Sequence, residues 1–90
     1  MKQQEQKLED NGYNLEDEDI LLIDDEAYNE SLVGVTDDGQ AVYDKDLMVE
    51  EFSKHHGCSQ EDALEYIDYN IVRALPYFGE KAPILFNRLY

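Results

Sequence analysis

His55, His56 and Cys58 lie within four residues of one another, and soft ligands that close invite comparison with a metal site or a thiol–imidazole pair. A closed zinc site needs four ligands, and no second cysteine or third histidine exists to complete it. Adjacent histidines also point to different sides of a helix. The pair is therefore read as the basic end of a helix, where the partial negative charge of the terminal carbonyls favours imidazolium, with Cys58 filling the turn. Hard oxygen ligands are more abundant: Glu16-Asp17-Glu18-Asp19, Asp24-Asp25-Glu26 and Asp44-Lys45-Asp46. None has the D-x-[DN]-x-[DN]-G spacing, with a bidentate glutamate to follow, that a calcium loop requires. Ser31, Ser53 and Ser59 stand in no nucleophile elbow, and no glycine-rich phosphate loop is present. The expectation is a chain with no catalytic residues, no metal and no cofactor.

Acidity itself is the stronger signal. The formal net charge is −15, and 17 of the 22 acids lie between Glu5 and Glu51, where residues 1–51 hold only Lys2, Lys7 and Lys45 as bases. From Phe52 onward five acids meet four bases. A field of that sign repels nucleic acid and anionic membrane and attracts basic surfaces. Direct nucleic-acid binding is disfavoured on the same ground, since affinity for phosphate rests on lysine and arginine. The opposite relation is more attractive: duplex DNA carries about one charge per 1.7 Å of axis, and ordered carboxylates can occupy a groove built for it. The candidates for such a face are Asp24, Asp25, Glu26, Glu30, Asp37, Asp38, Asp44, Asp46, Glu50 and Glu51, with Tyr28, Tyr43 or Met48 as anchors. The bland alternative is that these acids only keep a small domain soluble.

Ninety residues are expected to form one domain with a modest core. A single cysteine allows no intrachain disulfide, and MKQQEQKLED has no apolar stretch of a signal peptide, so a cytoplasmic protein without membrane attachment is expected. Residues 1–19 read as a charged, disordered lead-in and 20–90 as the folded domain. Ile20-Leu21-Leu22-Ile23 is too short for periodicity to decide between a strand and a helical turn. SLVGVT and QAVY, joined by Asp37-Asp38-Gly39, read as a β-hairpin. A three-residue loop sets Val35 opposite Ala41 and Val33 opposite Tyr43, and a two-residue loop pairs Val35 with Val42.

Asp44 is placed to N-cap a helix that Gly57 ends, and Ser59 to cap a second, with Ala63, Leu64, Ile67, Ile71, Ala74 and Leu75 as its buried stripe. Pro76 should end that helix just before it. Pro83 to Phe86 suits an edge strand that begins with proline. The result is an α+β domain: a hairpin, two helices and a C-terminal edge strand. Tyr66, Tyr69, Asn70 and Arg73 fall at helical spacing and make a possible recognition patch, the guanidinium stacking on a tyrosine or bonding the Asn70 amide. The structural alternative has Arg73 on terminal carbonyls, with Tyr77 and Phe78 packed beneath the turn.

GVTDDGQAVYDKDLMVEEF and IDYNIVRALPYFGEKAPIL carry a D-G turn followed by V-Y-D, a D-x-x-x-M helix opening, and the pattern D-Y-N-x-x-R-A-x-P-Y-x-G-E-x-A-P-I. Over about residues 31 to 86 the chain resembles a family of short acidic proteins of unknown function from Gram-positive bacteria and their phages. Lys45 stands where the resemblance leads one to expect an aromatic, and Asn87 to Tyr90 extends past it. The resemblance implies no activity. By analogy, small acidic proteins of phage and mobile-element origin include inhibitors of host defence nucleases, DNA mimics and anti-CRISPR proteins among them. The expected partner is a basic, nucleic-acid-handling protein surface. A scaffolding or regulatory domain, with homodimerisation open to it, is the second expectation.

Overall fold

Tyr43 has no exposed surface, and its hydroxyl explains how three separate pieces of chain are held together. It donates to Oε1 of Gln4 and accepts from the backbone N–H of Ile23 at 2.9 Å. The Gln4 amide, also fully buried, donates in turn to the carbonyls of Ile23 at 2.8 Å and Asp25 at 3.2 Å. A computed structural model describes residues 2–14 and 19–89 of the chain. Its order is α1 (Lys2–Asp10), a 3-10 turn (Glu26–Tyr28), β1 (Leu32–Val35), β2 (Ala41–Asp44), α2 (Lys45–His56), α3 (Gln60–Asn70), a 3-10 run (Val72–Lys81) and β3 (Ile84–Phe86). This is an α+β fold with a three-stranded sheet, β2 in the centre.

The lead-in is not disordered throughout. Residues 2–10 are a helix, and Leu8 is part of the same core as Tyr28, Leu32, Met48 and Ile67. Charge density argued for disorder because most of α1 is polar; one leucine in the core and one satisfied glutamine amide tie it down instead. Residues 15–18, including the acids Glu16, Asp17 and Glu18, lie outside the described residues. The stretch that follows is neither strand nor helical turn. Ile20 and Ile23 enter the core, and the backbone between them is irregular, its polar groups at Ile23 satisfied by Tyr43 and Gln4.

The hairpin turns as a three-residue loop should. Thr36 N–H donates to the Gln40 carbonyl at 2.8 Å, Gly39 takes φ +85°, and Val35 faces Ala41. Beyond that pair the register differs: a bulge at Val33 sets Leu32, not Val33, opposite Tyr43, and Gly34 opposite Val42. The extra residue lets Leu32 and Val35, three apart, share the core face, while Val33 stays half exposed. Plain alternation would have buried Val33 and turned the larger leucine outward.

Capping residues behave as their types dictate. Asp44 accepts from Leu47 N–H at 3.2 Å, Gly57 ends α2 in the left-handed region at φ +64°, and Ser59 accepts from Asp62 N–H at 3.1 Å. The second helix is shorter than its apolar stripe implies. It stops at Asn70, whose side-chain amide donates to the Tyr66 carbonyl at 3.0 Å, and 3-10 geometry carries the chain on through Pro76. A local side-chain bond of this kind competes with the α pattern, and the β-branched pair Ile71-Val72 adds to the cost of continuing it. Past that end Ile71, Ala74 and Leu75 are only half-buried, and Leu64, within the helix, is exposed. Gly79, at φ +81°, then turns the chain into β3, an edge strand preceded by Pro83 and parallel to β2. No helix among the described residues is long and apolar enough to cross a membrane.

Removing the Tyr43 hydroxyl leaves the Ile23 N–H buried without a partner, so Tyr43→Phe should cost about 1–3 kcal/mol in urea unfolding. Burial, opposed in part by the Ile23 hydrogen bond, holds the Tyr43 phenol well above its ordinary pKa; burial followed by the charge of Asp25 does the same for Tyr28. Both folded values exceed the unfolded value of about 10, so their contribution is fully present below that pH and is lost as pH rises through it. Tyr28 and Tyr43 should therefore ionise only together with loss of the circular dichroism signal, above about pH 10, a coincidence that tyrosinate absorbance checks.

Candidate interaction surface

The acids named from sequence fall into four places. Asp24, Asp25 and Glu26 surround the first 3-10 turn, and Asp25 is its cap, Oδ1 accepting from Ala27 N–H at 2.9 Å. Glu30 precedes β1, and Asp37 and Asp38 form the exposed hairpin tip. Asp46 and Glu50 are one turn apart on α2, with Glu51 beside them. The tip and the start of α2 sit at opposite ends of β2, a strand about 10 Å long. The acids thus bracket the sheet and run along one helix; they do not form a single row.

Asp44 does not belong to that surface. It is 5% exposed, caps α2 through Oδ1 and pairs with the Arg88 side chain through Oδ2. A carboxylate that accepts from a helix N-terminus and pairs with a guanidinium can leave water because those partners offset its desolvation, which sequence alone could not distinguish from an outward position. Arg88 also donates its backbone N–H to Asp46 at 2.9 Å. The C-terminal extension therefore closes over the start of α2.

Cations in the vicinity are few. Lys54 lies 3.5 Å from Glu50 and 3.9 Å from Glu51, and His56 Nε2 lies 3.9 Å from Asp25 Oδ2. Lys45 is occupied elsewhere, at 2.6 Å from Asp68, and Lys81 donates to the Asp38 carbonyl at 2.6 Å rather than to a carboxylate. Among the described residues no ion pair involves Glu26, Glu30 or Asp37, all of them exposed. The proposed anchors fail, since Tyr28, Tyr43 and Met48 are almost wholly buried in the core.

Exposed aromatics lie instead at the C-terminal patch. Arg73 stands 4.7 Å over the Tyr69 ring, as the spacing of four predicts. Asn70 bonds the Tyr66 carbonyl and not Arg73. Tyr66 stacks on Phe52 at 4.6 Å, with His56 on the same ring at 4.2 Å. Tyr77 does not pack beneath the turn, being 91% exposed, while Phe78 is 36% exposed. Reading the run to Pro76 as continuous α-helix hid this, because 3-10 turns rotate Tyr77 to a different side. His55 and His56 are exposed at the end of α2 and Cys58 is half-buried, its carbonyl accepting from Ser53 Oγ at 2.9 Å.

Asp44→Ala removes both a cap and the partner of Arg88, and should cost about 2–4 kcal/mol by chemical denaturation; Asp44→Asn, which retains an accepting oxygen for the cap, should recover about 1 kcal/mol. No family model, no curated protein and no solved structure matches this chain.

Proposed function

We propose that this is a non-enzymatic acidic binding protein of phage or mobile-element type, which docks a basic surface of a nucleic-acid-handling protein and keeps nucleic acid from it. The anti-defence inhibitors, DNA mimics or anti-CRISPR proteins, are the class it fits. The observation that carries this reading is the surplus of exposed carboxylate: Glu26, Glu30 and Asp37 stand outside any ion pair among the described residues, in a chain of net charge −15. Such a surface attracts a groove lined with lysine and arginine from a distance and speeds the encounter. The carboxylates spread over the sheet ends and α2 favour contact over a broad basic channel more than a narrow row of phosphate mimics.

A second reading is supported by the exposed Tyr66, Tyr69, Tyr77 and Phe78. Aromatic side chains outside the core are typical anchors of protein contacts, so a scaffolding or regulatory domain that dimerises through this side accounts for them. A concentration-dependent dimer by sedimentation, lost in Tyr77→Ala, favours that alternative.

The acidic reading is tested by titrating purified CRISPR and restriction nucleases with the protein. Affinity should fall at least tenfold between about 50 mM and about 500 mM salt, and again on replacing Glu26, Glu30 and Asp37 together by lysine. Nuclease binding that persists unchanged through both alterations sinks it.

A further inference from the structure

A cleft of about 450 Å³ runs between the end of α1 and strand β1. All four residues of β1 line it, facing Leu8 and Tyr13. With the bulge at Val33, Leu32 and Val35 turn to the core while Val33 faces out, so a cleft touched by all four residues follows the edge of the strand and not one face of the sheet. Among the described residues that edge carries no further strand: β1 is terminal in the order β1-β2-β3. The hydrogen bond from Thr36 to Gln40 makes that pair the closely bonded one, which places Val35, opposite Ala41, in the alternate kind of pair. The N–H and C=O of Val35 therefore point away from β2, toward the open edge. The sheet's other edge differs, for β3 is three residues long and follows a proline.

We infer that β1 accepts an extended peptide segment as a fourth strand, laid in this cleft, and that the segment is apolar in alternation with lysine or arginine at its two ends. The apolar requirement comes from Val33, which is half exposed, and from the partly buried Val35 and Tyr13, which line the cleft above the buried Leu8 and Leu32. The charge requirement comes from the strand's ends: Glu30 stands before Leu32, and Asp37 and Asp38 follow Val35, all three exposed. Glu9 and Asp10, exposed at the end of α1, add to the same sign. Among the described residues of the lining Lys7 alone is charged, and its ammonium already donates to the Asn29 carbonyl at 3.1 Å. A second copy of this chain would bring like charge to both ends of the strand, which selects a basic partner over self-pairing. Main-chain bonds supply the affinity in this mode and the alternating side chains the selectivity. The inference rests on the acidic-binding reading for the sign of the partner's charge alone.

The probe is a synthetic peptide of five alternating valines and threonines with two lysines at each end, titrated into the isotope-labelled full chain. The Val35 amide should exchange with deuterium at least tenfold more slowly in the complex, and Val35→Pro should weaken binding at least tenfold with thermal unfolding unchanged. Proline is tolerated at an edge position whose N–H faces outward. Should that variant fold poorly, N-methylation of the peptide does the same work on unaltered protein: methyl groups on the residues facing β1 should abolish binding, and on the alternate residues should leave it intact.

Absence of binding at millimolar peptide, or binding indifferent to both methylation patterns, overturns strand addition. Self-association of the free chain that Val35→Pro abolishes overturns the choice of occupant. A peptide with serine in place of lysine that binds equally well, with methylation still effective, sinks the acidic reading while strand addition stands.

Discussion

One phenol oxygen, that of Tyr43, sits where the three parts of this fold meet. It lies on the central strand, accepts from the irregular segment at Ile23 and donates to Gln4 of the N-terminal helix. Without it the segment 19–25 has apolar side chains to bury and no regular partner for its backbone, and α1 keeps Leu8 in the core and the bonds of Gln3 and Lys7 to Asn29. A buried network of this sort is stabilising only when every member is satisfied, which here it is: the Gln4 amide uses both its oxygen and its nitrogen. Placing the hub on β2, between the other strands, means that the hairpin, the N-terminal helix and the core share one fixed point.

That arrangement decides how charge is displayed. Because α1 docks against the start of β1, its acids join those of the hairpin, and the segment after it delivers Asp24 to Glu26 beside the end of α2. Among the described residues the acids of the first half are thus carried on elements tied to the core. Self-repulsion on such a surface opposes compaction, and the core must outweigh it. Three of the seven bases are held within the fold: Lys45 on Asp68, Arg88 on Asp44, Lys7 on a carbonyl. The outer surface is accordingly more anionic than a mixture of the same residues would be.

The C-terminal half has a different character. Phe52 carries Tyr66 and His56 on its ring and faces Tyr28 at 6.1 Å, joining the buried core to an exposed aromatic surface. The early end of α3 at Asn70 turns the remaining residues outward, and Arg73 finds the Tyr69 face in place of a carboxylate. An acidic side and an aromatic side on one small domain give it two chemically distinct surfaces for contact.

Residue types alone determined the elements whose signals are local: the Asp44, Gly57 and Ser59 caps, the D-D-G turn, the proline-led edge strand, and the acidic sign of the surface. These are legible because a cap or a turn depends on neighbours two to four residues away. Tertiary structure decided the rest, for the energies involved come from contacts across the chain. Gln4 reads as one more polar residue in a charged leader until Tyr43 and Ile23, far along the sequence, are seen to satisfy it. Val33 and Leu32 exchange roles because a bulge buries the larger side chain. Asp44 reads as a surface acid until Arg88 folds over it, and the open edge of β1 exists only once the strand order is set by β3 pairing on the far side of β2.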